Sequence, residues 1–204
     1  MNPESGLYQS LALAADIVVV NVLMILTSLP LLTAGASFRA ANYVIAQLVQ
    51  EEGSQPARTF LTQFTKHVKT STLWWLITVL LGSLGLLEWL MLDAVEVGAN
   101  VDFAFRAGLM SAALIVAGIS LWLFYFEAKR PRNFTTAFTN SALAALRFLP
   151  RTLVGVTMLA LPAALAVVVP ERWFAIVGFY LIIGLALTLY LFQLLVRHVV
   201  SPEE

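Results

Sequence analysis

Four polar residues stand inside long apolar runs of this chain: Asp16, Asn21, Glu88 and Arg106. Ionisable groups are costly in a membrane-spanning helix and are therefore the first place to look for chemistry. Asp16 lies five residues into the first run, roughly 8 Å deep at about 1.5 Å rise per residue. Glu88 comes four residues before the end of the second run, and Arg106 opens the third. At this common depth the three could meet as a carboxylate–guanidinium cluster lining a solute or ion pathway. Asn21, deeper in the first run, could hydrogen-bond between helices. The structural alternative is that these groups reach the outer interface or pair to fix helix register. Charge is not continuous across the apolar region, which argues against a proton relay.

Other chemistries find little footing. The chain has no cysteine, which removes disulfides, thiolate metal sites and thiol nucleophiles. His67 and His198 are far apart and read as solvated. There is no H-E-x-x-H motif, Ser/His/Asp arrangement or buried carboxylate pair with a flanking histidine. The expectation is a protein that is not an enzyme, with no cofactor, no metal and no nucleic-acid partner.

The elements that hold these residues follow from composition. Of 204 residues 60% are hydrophobic and 12% charged, whereas soluble domains carry about a quarter charged. A span needs roughly 20 mostly apolar residues. Five segments qualify, about 11–34, 73–92, 105–126, 152–169 and 173–196. Without a basic residue ahead of it, the first is expected to be a retained span rather than a cleaved signal. The fold expected is all-α, a polytopic transmembrane bundle of five spans forming one integral membrane domain over 1–204. Ten of the twelve basic residues fall in 35–72, 127–151 and 197–204: Arg39, Arg58, Lys66, Lys69, Lys129, Arg130, Arg132, Arg147, Arg151 and Arg197. The positive-inside rule then places that side in the cytoplasm, with the N-terminus outside and the C-terminus inside. Trp74, Trp75, Trp89, Trp122 and Trp173 all lie near span ends, as an interfacial aromatic belt would have them.

Two segments assigned to the cytoplasmic side, about 56–72 and 131–149, share the pattern F-x-T-x-F-T at Phe60/Phe64 and Phe134/Phe138. Each follows a proline, Pro56 or Pro131, suited to a helix start. Apolar stripes beside Arg58, Lys66 and Lys69 make them basic amphipathic helices expected in the inner headgroup plane. Phe60, Phe64, Lys66, Lys69, Phe134 and Phe138 form the candidate docking face, and the recurrence suggests a parallel repeat. Pro30, near the inner end of the first span, is the candidate hinge, to be used as a kink or as a moving joint.

Gly6-Leu7-Tyr8, Asp16, Asn21, Ser28-Leu29-Pro30, Thr33 and Gly35-Ala36, then Glu52-Gly53, Phe60, Phe64-Thr65-Lys66 and Trp74-Trp75-Leu76, resemble the opening of the YesL family of bacterial membrane proteins. The likeness covers about residues 6–76. It departs where Leu61 replaces a second phenylalanine and where His67-Val68 replaces an Asn-Phe pair. The family is catalogued as a domain of unknown function, and its genes often neighbour carbohydrate-uptake systems. The resemblance thus implies a bacterial inner-membrane accessory of sugar import, with the lipid bilayer and a carbohydrate-transporter membrane subunit as partners. The alternative is a self-contained small-solute transporter or channel, which with five spans would need a homo-oligomer.

Overall fold

The computed structural model describes residues 6–52, 55–66, 68–95, 98–130 and 133–197. Among these the regular structure is helical, with no strand. The helices are α1 (Gly6–Ser28), α2 (Ala34–Val49), α3 (Pro56–Phe64), α4 (Val68–Ala94), α5 (Ala99–Lys129), α6 (Phe134–Arg147), α7 (Leu149–Val168), α8 (Trp173–Phe179) and α9 (Leu185–Val196). A π turn, Tyr180–Gly184, joins α8 to α9. Among the described residues five stretches are long and apolar enough to cross a membrane: α1, α4, α5, α7, and 170–196 taken together. Their bounds run longer than the expected spans at α4 and α5, because the helices continue past the apolar windows into polar ends. Pro131, His67 and His198 lie outside the described residues.

Pro30 ends a helix rather than bending one. α1 stops at Ser28, Pro30 is extended (φ −74°, ψ 107°), and a 3-10 turn at Leu31–Thr33 leads into α2. Proline disfavours helical geometry in the residue before it and cannot donate a backbone hydrogen bond. The freed carbonyls are taken up locally. The Thr33 hydroxyl is 2.6 Å from the Thr27 carbonyl and 2.8 Å from that of Pro30, and the Trp75 indole donates to Leu31 at 2.7 Å. The expected hinge is thus a tied-down corner.

Beyond that corner lies the element missing from the sequence reading. α2 occupies a stretch to which the sequence assigns no element, yet eleven of its sixteen residues are buried. It packs against α1, α3, α4, α5 and α9. Its small residues allow this: a Cβ added at Gly35 would meet the Ser71 backbone carbonyl and lie 2.8 Å from Trp75 Cβ. Phe38 stacks on Trp75 and Phe124 at 5.8 and 5.7 Å, bridging two apolar clusters.

Packing is concentrated at one end of the bundle. Buried positions are Ile17, Val20, Asn21 and Met24 on α1, Ser71 and Trp74 on α4, nine residues between Gly118 and Ala128 on α5, Thr152, Gly155 and Val156 on α7, and six between Ala186 and Val196 on α9. This end also carries Arg39, Lys66, Lys69, Lys129 and Arg151, and is called the basic end below. Two tryptophans expected in a belt belong to this core. Trp74 donates to Ser120 Oγ (3.0 Å) and Trp122 to Thr152 Oγ1 (2.9 Å), a use of the indole N–H that a buried tryptophan requires. Toward the other end α4 and α5 are bare. Leu80 is 60% exposed and Met91 67%. Exposing such side chains to water forgoes about 1.5–3 kcal/mol each, whereas lipid tails accept them without that loss.

Candidate functional site

The four intramembrane candidates do not form one cluster. Arg106 staples the end of the α4–α5 hairpin that lies away from the basic end. Its Nε sits 2.8 Å from Asp102 Oδ1, its Nη2 2.8 Å from Asp93 Oδ1, and its guanidinium lies 4.5 Å from the Trp89 ring centroid. Glu88 is exposed on α4 and Asp16 half-buried on α1. Neither pairs with Arg106 among the described residues, because the cation is already committed to the acids at the two helix ends beside it.

Asn21 has a different task. Wholly buried on α1, it reaches the fifth span. Its Nδ2 donates to the carbonyls of Tyr180 (3.1 Å) and Leu181 (2.8 Å), while its Oδ1 accepts from the Ala186 N–H at 2.8 Å. These three groups bracket the π turn. One amide thereby satisfies backbone groups that hydrocarbon cannot.

The residues of the docking face are also divided. Phe60 is wholly buried, in the cluster of Ile17, Val20, Met24, Val44, Ile45 and Leu189. Phe64 is half-buried and stacks on it at 6.4 Å. Phe134 and Phe138 stack at 6.3 Å and both lie against Trp74, at 6.5 and 5.6 Å. The two phenylalanine pairs share a local geometry, as the repeated pattern implies, but their rings are largely spent inside the protein. Only Lys66, Lys69 and the outer side of Phe138 face outward. The stripe of α3 faces the bundle because α1 and α2 give it a surface to cover, and that of α6 because α5 does.

The most strongly polar site at the basic end escaped the sequence reading. Arg39 on α2 and Glu127 on α5 are both buried. Arg39 Nη2 donates to the carbonyls of Gln63 and Lys66, at the end of α3 where unpaired carbonyls gather partial negative charge. Burial lowers the Arg39 guanidinium from its ordinary pKa, and the Glu127 carboxylate acts to raise it. Nearby, Gln193 of α9 donates to the Asn42 backbone carbonyl at 2.7 Å, and Asn42 Nδ2 to Phe38 at 2.9 Å. The Arg39 bonds tie α2 to the end of α3, and the Gln193 bond ties α9 to α2. The signal was an arginine within a run of alanine, glycine and serine, a composition suited to tight helix packing.

Among the described residues no group of three or more His, Asp or Glu is placed to hold a metal. A shallow apolar depression near the start of α5 is lined by Ala104, Phe105, Gly108 and Leu109. No curated protein and no solved structure matches the chain. Residues 17–89, which contain Asn21, Pro30, Gly35, Arg39, Phe60 and Trp74, match the model of a family described as a protein of unknown function, DUF624.

Proposed function

We propose that this chain is a multi-pass bacterial inner-membrane protein of the YesL type that works as an accessory beside a carbohydrate-uptake transporter. Its N-terminus is outside and its C-terminus cytoplasmic. Support for the location comes from the five apolar stretches and from the basic residues gathered at one end. The match over 17–89 is consistent with the YesL resemblance. The observation that carries the accessory role is the outer part of α4 and α5. It lacks buried positions, and Gly82, Gly85 and Gly108 have open space where a side chain would stand. Small residues on an uncovered helix let another helix approach closely. The pairing of Arg106 with Asp93 and Asp102, rather than with Asp16 or Glu88, favours the accessory reading over a carrier built on those groups.

The test is crosslinking in native membranes, gentle detergent purification and identification of what copurifies. A carbohydrate-transporter membrane subunit is the expected companion. Recovery of copies of this chain alone would overturn the accessory reading in favour of a self-contained oligomeric transporter or channel.

A further inference from the structure

The fifth membrane-crossing stretch contains a one-residue irregularity held from outside. Single π turns occur within α-helices as the mark of one extra residue, and they are frequent at functional sites. Here Tyr180–Gly184 separates an outer segment, α8, from an inner one, α9. Two independent features hold it. Asn21 binds the carbonyls of Tyr180 and Leu181 and the N–H of Ala186. Gly184 leaves room for the Tyr180 and Phe179 rings, since a Cβ there would lie 2.7 and 3.1 Å from them. The inner segment is fixed separately, through Gln193 on Asn42 and through the buried Leu189, Phe192 and Val196. The outer segment has no buried residue.

We propose that Asn21 is the latch of a register switch in this span. With the latch engaged, the π turn sets which face α8 turns toward α7. With it released, the turn relaxes to α-helix, and α8 rotates by about 100° and shifts by about 1.5 Å relative to α9. The relaxed form returns the local peptide groups to their own helical ladder but leaves the Asn21 amide without these acceptors. The engaged state satisfies both the turn and the amide and the relaxed state only the turn, so the Asn21 bonds bias the span toward the π form. The switch couples the position of α1 to the outer face of the fifth span without involving a charged residue.

The test uses the fact that the chain has no cysteine. Nitroxide labels on single cysteines at 174–179, in lipid nanodiscs, report the phase of oxygen accessibility around α8. Asn21→Val is expected to shift that phase by about 100°. Deleting Ile182 in the Asn21→Val background removes the extra residue, so the phase is expected to return to that of the native chain. If Asn21→Val does not fold, recovery of folded protein on deleting Ile182 supports the latch. An unshifted phase in Asn21→Val overturns the proposal, as does failure of the deletion to restore phase or folding.

Discussion

Arg39→Met is expected to destabilise the protein by about 3 kcal/mol or more, since two hydrogen bonds from a charged donor, about 1.5–3 kcal/mol each, are lost. The guanidinium is wholly buried, holds the end of α3 through the carbonyls of Gln63 and Lys66, and compensates the buried Glu127 carboxylate. Methionine fills much of the same volume, so the lost terms are the cap and the charge. Adding Glu127→Leu to Arg39→Met is expected to recover only part of the loss, since it removes the carboxylate whose charge Arg39 favours but does not restore the cap on α3. Arg39→Lys is expected to rescue poorly, because an ammonium cannot reproduce the planar fork of donors. Thermal unfolding in detergent measures all three. A single variant within about 0.5 kcal/mol of the native chain would rank Arg39 with ordinary surface positions.

The second large effect is expected at Phe60→Ala, about 3–5 kcal/mol for a buried aromatic truncated to alanine. Phe60 is wholly buried among residues of α1, α2 and α9, so its loss opens a cavity where three helices meet. Phe138→Ala, at a side chain 38% exposed, is expected to cost clearly less. The contrast separates a packing role from a docking role. A docking residue would lose a partner while the protein kept its unfolding temperature. Unchanged thermal stability in Phe60→Ala, together with loss of a copurifying protein, would return the phenylalanines to the docking face.

The five apolar helices were legible because length and hydropathy alone decide whether a segment can cross lipid. The short helices at Phe60 and Phe134 were legible from their apolar stripes and, for the first, from Pro56. α2 was not. At sixteen residues with Arg39, Asn42 and Gln47 it is too short and polar to read as a span, and its burial comes from alanine and glycine letting five neighbours close in. Pro30 was read within a helix because the apolar run continues past it, although the backbone turns there. Asn21 was rightly expected to bond between helices, yet its partner is a backbone irregularity 160 residues away, for which sequence carries no sign. Trp74 and Trp122 lie near span ends in sequence but inside the packed end in space, because the bundle's core extends to the basic end.

Packing inside the chain is spent at the basic end, and we propose that the far part of α4 and α5 is left for another membrane protein. The most direct test is a photocrosslinking residue placed in turn at Gly85 and Gly108, and for comparison at Leu61 and Leu143 on the exposed sides of α3 and α6, in native membranes. All four positions are open in the folded chain. Adducts to a carbohydrate-transporter membrane subunit are expected from Gly85 and Gly108 and not from the other two. Adducts from Leu61 and Leu143 instead, or adducts only between copies of this chain, would contradict the claim.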